Sequence, residues 1–173
     1  MGFHVFRGGW LGSAVLLLVG AALVLRPWEG DAAGESGPAE ARALVTRVVD
    51  GDTIEARFDG GVEDVRYIGV DTPETVKPGT PVQCFGPRAS AFNHQLMEGK
   101  AVRLVFGVER RDIYGRLLAY VYLGHRFVNG ELVRRGLART LEIAPNTRFA
   151  SHFSRLEQAA AQAGRGLWGA CPP

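Results

Sequence analysis

Two glycine-containing turns divide the first half of the folded region into three short β-strand patterns. The turns are Asp50-Gly51 and Asp59-Gly60-Gly61, and the segments beside them, residues 43–49, 53–58 and 62–70, are rich in β-branched residues. An Asp-Gly pair between such segments is a strong hairpin signal. Strands joined by turns this short pair with their neighbours antiparallel. The sequence therefore predicts a three-stranded antiparallel meander.

The remainder of the chain adds two strands and three helices. Apolar, β-branched and aromatic runs predict strands at residues 101–106 and 117–123. Helical patterns cover residues 87–97, 129–135 and 151–163, and the mid-helix pair Asn93-His94 is expected to be exposed. Five strands with one helix inserted after the third predict an α+β fold, a five-stranded OB-type β-barrel with three packed helices.

The amino terminus is set apart from this domain by composition. Residues 10–25 carry no charge and lie between Arg7 and Arg26, which is typical of an exported protein's leader. The run is longer than most signal-peptide cores and shorter than most spanning helices. We expect a hydrophobic helix in residues 1–27, acting as an uncleaved signal anchor or a cleaved signal peptide. Residues 28–41 form a flexible linker, and residues 42–173 form the OB-fold domain.

This organisation predicts that the domain functions outside the cytoplasm. It would be membrane-anchored and face outward if residues 1–27 are retained, and secreted or periplasmic if they are removed. The charge distribution is uneven: residues 27–102 hold 7 basic and 13 acidic residues, whereas residues 103–165 hold 11 basic and 5 acidic. An acidic half suits a metal site, and a basic half suits a polyanion. An uneven charge distribution is also common on small domains and can have no functional meaning.

Carboxylates gather where the predicted strands end. Asp52 follows the first tight turn, and Asp71 follows the third strand, where Pro73 stops further pairing. Two adjacent strand ends can offer both carboxylates to one cation, with the Thr72 carbonyl as a third ligand. Oxygen ligands suit Ca²⁺, and no Cys/His cluster indicates zinc. Glu74 is close enough in sequence to hold a metal-bound water or take its proton.

Two arginines complete the predicted site. Arg66 shares strand parity with Ile68 and Val70, and a buried arginine requires an anionic partner. Arg116 follows the turn at Tyr114-Gly115 and can point into the same cleft. Guanidinium groups bind two phosphate oxygens at once. Carboxylates with two such arginines indicate metal-assisted phosphodiester cleavage, although either arginine could instead form a structural ion pair.

The chain has two cysteines, Cys84 and Cys171. An exported domain with two cysteines usually pairs them, and the loop closed here would stabilise the fold by about 3–5 kcal/mol in the chain-entropy model. The alternative is two unpaired thiols.

Five motifs, in order and spacing, resemble the thermonuclease (staphylococcal nuclease-like) family over about residues 42–169. They are Val48-Val49-Asp50-Gly51-Asp52-Thr53, Arg66-Tyr-Ile-Gly-Val-Asp71-Thr72-Pro73-Glu74, Phe85-Gly86-Pro87-Arg88-Ala89-Ser90-Ala91-Phe92, Asp112-Ile-Tyr114-Gly115-Arg116-Leu-Leu-Ala-Tyr120 and Val128-Asn129 through Gly136-Leu137-Ala138. The resemblance implies an OB barrel with three helices and a calcium-dependent nuclease that cuts DNA and RNA with little sequence preference.

The resemblance also assigns roles to residues. Asp52, Asp71 and the Thr72 carbonyl would bind Ca²⁺, and Glu74 would position or deprotonate the attacking water. Arg66 and Arg116 would stabilise the pentacoordinate phosphorus, and Tyr114 would contact a substrate phosphate. In well-known members, two tyrosines after the second helix pack on the nucleotide, and a lysine precedes Tyr114. Here residues 140–144 contain no aromatic, and Ile113 replaces the lysine.

Two functions remain open at this level. The first is a monomeric, calcium-dependent nuclease acting on DNA and RNA by direct attack of water on phosphorus. The second is a noncatalytic nucleic-acid-binding module on the same barrel. Retention of all five of Asp52, Arg66, Asp71, Glu74 and Arg116 favours the enzyme.

Overall fold

The computed structural model of the protein describes residues 39–172. The predicted leader, residues 1–27, and most of the predicted linker lie outside the described residues. The strands are β1 (Glu40–Val48), β2 (Thr53–Phe58), β3 (Gly61–Tyr67), β4 (Val70–Asp71), β5 (Ala101–Arg111), β6 (Leu117–Leu123), β7 (Arg126–Phe127) and β8 (Arg139–Thr140). The helices are α1 (Gly86–Met97), α2 (Val128–Arg134), α3 (Ala150–Gln162) and α4 (Leu167–Ala170).

Five strands close into a barrel. β1 pairs antiparallel with β2 on one side and β5 on the other, β2 pairs with β3, and β5 pairs with β6. A parallel pairing of β3 with β6, with Val65 opposite Leu117 and Tyr67 opposite Ala119, closes the ring. Closure leaves no free edge among these five strands. The predicted five-stranded OB-type barrel is confirmed.

Alternating side chains fill the barrel. In β1, Ala43 and Val45 are buried whereas Leu44 between them is 44% exposed, and Ile54 and Val65 in the next two strands are fully buried. This period of two is the pattern of strands with one face on a core. The interior is therefore an apolar core, and polar chemistry is confined to the barrel's ends and outer face.

Helices cover the barrel surface. Ala89 and Met97 are the fully buried apolar residues of α1, and Phe153 and Ala160 bury one face of α3. A cluster of aromatic rings joins α3 to the barrel, with Phe127 and Phe149 centroids 4.9 Å apart and Phe149 and Tyr120 4.8 Å apart. The three predicted helices are confirmed. Within residues 39–172, no helix combines the length and apolarity needed to span a bilayer.

The third predicted strand is interrupted before its end. β3 stops at Tyr67, and the chain turns through Gly69, whose φ of +79° favours glycine, before entering β4. A Cβ at Gly69 would lie 2.3 Å from the Phe153 ring. β4 then leaves the barrel and pairs with β8. The break redirects Asp71 and the residues after it toward the carboxylates at the other strand ends.

Candidate active site

All seven residues predicted for the metal site and the reaction line one cleft of about 480 Å³. They are Asp52, Arg66, Asp71, Thr72, Glu74, Tyr114 and Arg116. The cleft lies where the β1–β2 turn, the end of β4 and the β5–β6 turn meet. Its walls also include Asp50, from the same turn as Asp52, and Arg47, Asp64 and Lys77, which the sequence did not single out.

Asp52 and Thr72 join two of these segments. Asp52 is 4% exposed, and its Oδ2 accepts hydrogen bonds from the Thr72 backbone N–H at 2.7 Å and the Thr72 hydroxyl at 2.8 Å. Gly51 permits the approach, because a Cβ there would lie 2.6 Å from the Thr72 hydroxyl oxygen. The glycine in the Asp-Gly turn is therefore required for close packing against Thr72.

Arg66 lies between the two predicted metal-binding carboxylates. Its Nε is 3.1 Å from Asp52 Oδ1, and its Nη2 donates to Asp71 Oδ1 at 3.0 Å. Its Nη1 donates to the backbone carbonyls of Tyr67 at 2.9 Å and Val70 at 2.7 Å. Hydrogen bonds engage both Nη1 N–H groups and one on Nη2, the Nε group is in ion-pair contact with Asp52, and one N–H on Nη2 has no partner among these residues. The requirement for an anionic partner of the buried arginine is met by both aspartates.

The cleft carries more negative than positive charge. Five carboxylates and four basic side chains line it, namely Asp50, Asp52, Asp64, Asp71 and Glu74 against Arg47, Arg66, Lys77 and Arg116. Burial, followed by the neighbouring Asp52 charge, raises the pKa of Asp50 to about 6. Burial and the charges of Asp52 and Glu74, partly offset by Arg66, raise the pKa of Asp71. A cation added to this cleft would relieve the repulsion.

The donor atoms around the cleft are hard oxygens. Among residues 39–172, no three His, Cys, Asp or Glu side chains lie close enough to form a metal site by themselves. A cation here would depend on the Asp52 and Asp71 carboxylates together with backbone carbonyl and water oxygens. Such a mixed set suits Ca²⁺, which takes carbonyl and water ligands readily.

Glu74 is held at one oxygen by the loop that follows it. Its Oε1 accepts from the backbone N–H groups of Thr75 at 2.8 Å, Val76 at 2.9 Å and Lys77 at 2.9 Å. Burial raises the pKa of Glu74, but these backbone hydrogen bonds outweigh it and hold the pKa below the usual value. All three bonds go to Oε1, so Oε2 can accept a hydrogen bond from a molecule in the cleft.

Arg116 is oriented by Asp112. Its Nε and Nη2 bind Asp112 Oδ2 at 2.8 and 2.7 Å, and the Arg116 backbone N–H donates to Asp112 Oδ1 at 3.0 Å. The Nη1 group keeps its N–H groups free of this ion pair. The Tyr114 ring, which is 76% exposed, lies 5.4 Å from the Arg116 guanidinium. The ion pair therefore leaves Arg116 more available to a phosphate than Arg66.

Asn93 supports the site from α1, contrary to the expectation that it is exposed. It is fully buried; its Nδ2 donates to the Asp50 carbonyl at 2.8 Å, and its Oδ1 accepts from the Tyr67 hydroxyl at 3.1 Å. These bonds fix the turn that carries Asp52. The sequence offered no signal for this role, because a polar residue in mid-helix usually faces solvent. His94 is exposed, as predicted.

Cys84 and Cys171 form a disulfide, with Cα atoms 5.8 Å apart, which confirms the predicted pairing. The bond joins the residue before Phe85, the cap residue of α1, to the residue after α4. It lies away from the carboxylates and is not part of the cleft.

Comparison with known proteins agrees with this arrangement. The model of the family described as "Staphylococcal nuclease homologue" matches residues 64–170. The chain belongs to this family. It is 42% identical over 136 residues to a protein named "Thermonuclease" from Staphylococcus hyicus, covering 79% of this chain and 80% of that protein.

Two further relatives extend the comparison. A "Thermonuclease" from Staphylococcus intermedius is 39% identical over 160 residues, covering 91% of this chain and 95% of that protein. "Endonuclease YncB" from Bacillus subtilis (strain 168) is 43% identical over 124 residues, covering 70% of this chain and 59% of that protein. A match over 91% of the chain spans the segment that carries the cleft.

Proposed function

We propose that this chain is a calcium-dependent nuclease that hydrolyses phosphodiester bonds in DNA and RNA with low sequence specificity. The observation that carries the proposal is the convergence of Asp52 and Asp71 around Arg66 in the cleft that also holds Glu74 and Arg116. The names of the relatives, thermonuclease and endonuclease, support the same reaction class. A binding module has no need of this group of charged residues.

The metal would be held by Asp52, Asp71 and the Thr72 carbonyl. The fit rests on the oxygen donors and on the excess of carboxylates over basic groups in the cleft; burial first, and then the neighbouring carboxylates, raise the pKa values of Asp50 and Asp71. Bound Ca²⁺ supplies Lewis-acid polarisation of the scissile phosphate and neutralises part of its charge.

Arginines bind the phosphate and oppose the charge that develops on it. Arg116 presents its Nη1 group, and Arg66 presents its remaining Nη2 N–H, to the non-bridging oxygens. Both guanidinium groups are fixed in place by carboxylates before the substrate arrives, so little reorganisation is needed at the transition state. Tyr114, exposed beside Arg116, would contact a neighbouring phosphate.

Glu74 orients the attacking water. Its low pKa keeps it ionised near neutral pH, and Oε2 accepts a hydrogen bond from the water while Oε1 stays bound to the loop. The water oxygen bonds to phosphorus in line with the leaving oxygen, whose bond to phosphorus breaks. The water's proton passes to Glu74 or through it to solvent, and the leaving oxygen takes a proton from solvent. A carboxylate with lowered pKa is better suited to positioning water than to strong base catalysis.

The proposal includes export. The disulfide is typical of proteins that fold outside the cytoplasm, and the uncharged run at residues 10–25 would direct the chain there. The domain would act as a monomer on extracytoplasmic nucleic acid. It would be tethered to the membrane if residues 1–27 are retained and free if they are cleaved.

Cleavage of single-stranded DNA with calcium, and with calcium plus excess chelator, tests the proposal. We expect calcium-dependent degradation that Asp71→Asn abolishes while the melting temperature stays near wild type. Asp71 suits the test because its side chain is 57% exposed, whereas Asp52 is buried and its Oδ2 holds Thr72 through two hydrogen bonds. The matched control is Asp59→Asn in an exposed turn outside the cleft. Full turnover in excess chelator contradicts the metal assignment, and binding without cleavage supports the noncatalytic module.

A further inference from the structure

A second basic surface lies outside the cleft, between α1, α2 and the start of α4. Four arginines and two phenylalanines line an open groove of about 540 Å³ that contains no carboxylate in its walls. We call it the arginine groove and define it by Phe85, Arg88, Phe92, Arg134, Arg135 and Arg165. None of these residues lines the catalytic cleft.

The groove has an excess of positive charge. Arg134 and Arg135 share one carboxylate, Glu131, which lies beside the groove. Arg88 and Arg165 have no carboxylate within ion-pair distance in the part of the chain that the structure describes. Arg88 also lies in the first turn of α1, which has no acidic residue and no side-chain cap. A cation in that place opposes the helix dipole, so an anion bound there would stabilise the helix.

The aromatic residues hold two of the guanidinium groups in place. Arg88 lies 5.5 Å from the Phe85 ring centroid, and Arg135 lies 4.9 Å from that of Phe92. A guanidinium stacked on a ring keeps its N–H edge free for phosphate oxygens. Phe85 adopts a φ of +69°, which is uncommon for a bulky residue and is often found at functional sites.

The walls of the groove are fixed to each other. Gly136 and Gly166 pack backbone against backbone, since a Cβ at Gly166 would lie 2.2 Å from the Gly136 carbonyl oxygen. The Leu167 N–H donates to the same carbonyl at 2.8 Å. On the other side, the disulfide of Cys84, the neighbour of Phe85, ties α1 to the end of the chain. A preformed groove of this kind loses little entropy when a ligand binds.

The groove is joined to the catalytic loop. A Cβ at Gly86, next to Phe85, would lie 2.9 Å from the backbone carbonyl oxygens of Pro73 and Glu74. Residues 74–84 therefore connect the Glu74 side of the cleft with the Phe85 end of the groove. A strand of repeated phosphates that leaves the cleft across this loop would meet the four arginines next. The direct contact between this loop and the groove favours a nucleic-acid strand as the occupant of the open groove.

We propose that the arginine groove is an exosite for the phosphate backbone of single-stranded nucleic acid, engaging nucleotides several positions from the one that is cleaved. This inference rests on the proposed nuclease function for its substrate. The groove binds the strand without reading bases, because its polar groups are all cationic donors. It therefore increases affinity for long strands and leaves the chemical step unchanged.

The test compares two charge-matched double variants in excess chelator, where no cleavage occurs. Arg88→Gln/Arg165→Gln removes the two groove arginines that have no carboxylate partner among the described residues, and Arg57→Gln/Arg126→Gln removes two exposed arginines elsewhere. Binding of a labelled single strand of about 20 nucleotides is measured by fluorescence anisotropy over a range of salt concentrations. We expect the groove variant to raise Kd roughly tenfold and to reduce the slope of log Kd against log salt by about 1.4, since each phosphate contact contributes about 0.7.

Further arms separate the outcomes. Arg88→Lys/Arg165→Lys should restore most of the salt dependence, and melting temperatures verify that each variant is folded. With calcium, the groove variant should raise KM for the long strand but not for a dinucleotide, with kcat unchanged.

Equal effects of the two glutamine variants on Kd overturn the exosite, as does equal weakening for long and short substrates. Binding of the same variants to phosphatidylglycerol vesicles is measured in parallel. If the groove variant loses affinity for the vesicles but not for the single strand, the exosite is overturned in favour of a membrane-binding surface. A wild-type protein that cleaves nothing refutes the nuclease function, while the binding comparison still decides the groove.

Discussion

Gln83 and Glu74 exchange two hydrogen bonds across the ends of one loop. The Gln83 N–H donates to the Glu74 carbonyl, and the Glu74 N–H donates to Gln83 Oε1, both at 2.9 Å. The pair closes the loop whose backbone holds the Glu74 carboxylate. Gln83 thus positions the residue proposed to orient water without entering the cleft itself.

Gln83→Met should therefore slow catalysis. Methionine keeps the length of the side chain but cannot accept the Glu74 N–H strongly, so the carboxylate becomes less fixed. We expect kcat to fall roughly tenfold with little change in KM, and amide hydrogen exchange to accelerate in residues 74–83. Gln95→Met, at an exposed position of α1, is the control. Equal KM and kcat changes would indicate general disruption of the cleft.

Thr72→Val should weaken metal binding. Valine retains the shape and the backbone N–H but loses the hydroxyl that donates to Asp52 Oδ2 at 2.8 Å. Hydrogen bonds that orient a metal ligand typically change affinity by about 10–100-fold. Calcium titration calorimetry should show that weakening, with activity restored at high calcium. Thr46→Val, whose hydroxyl donates to the Glu55 carbonyl at 3.3 Å, is the control and should leave calcium affinity unchanged.

The two arginines should differ in how they affect stability. Arg116→Lys weakens a partly buried ion pair with Asp112 but keeps the positive charge, so we expect a kcat reduced by roughly 10²–10³ and only a small loss of melting temperature. Arg66→Lys should show a similar kinetic loss and also lose about 1–3 kcal/mol of stability, because one ammonium cannot satisfy Asp52, Asp71 and two carbonyls together. Steady-state kinetics with denaturant unfolding measures both. A change confined to KM would show that the two arginines bind the substrate and the transition state equally well and do not accelerate the chemical step.

The sequence predicted the barrel because its signals are local. Glycine-containing turns and alternating β-branched residues mark β1, β2 and most of β3, and glycine ends α1 and α2. Two-residue elements such as β4 and β8 exist only because they pair with each other. Nothing in Val70-Asp71 or Arg139-Thr140 indicates that partnership, since the pairing depends on the completed fold.

Part of the candidate site could also be predicted from the sequence, and part could not. The strand-end carboxylates and Arg66 could be predicted, because these side chains lie close to turns that the sequence marks. The role of Asn93 depends on a contact with a distant segment, the raised pKa of Asp50 depends on its burial in the folded protein, and the role of Gln83 depends on how the loop of residues 74–83 closes. Asp50 lies in the same turn as Asp52, so the sequence did place a third carboxylate nearby.

Base discrimination should be weak. Beside the cleft, Ile113 and Ile143 are 92% and 59% exposed, and no aromatic occupies residues 140–144. Stacking on an aromatic contributes about 1–3 kcal/mol per base, which aliphatic contact does not reproduce. We expect oligonucleotides of different sequence to have similar Kd values, and Ile143→Tyr to lower Kd at least several-fold. The control is Val108→Tyr, at an exposed position outside this surface. A strongly base-selective wild type contradicts the prediction.

Reduction of the disulfide should lower the melting temperature without abolishing the chemistry. Cys84 and Cys171 are 87 residues apart, so the bond restricts the unfolded chain strongly, by about 3–5 kcal/mol in the chain-entropy model. No sulfur lines the cleft, so calcium-dependent cleavage should remain measurable in the reduced protein at low temperature.

Intact-mass analysis under alkylating conditions establishes the redox state, and Cys84→Ser/Cys171→Ser provides the permanently open form. Because Cys171 directly follows the end of α4, hydrogen exchange should accelerate in α4 first. Two freely alkylated thiols in protein exported without reductant, or loss of all activity in a reduced protein that is still folded, would contradict a purely structural role for the bond.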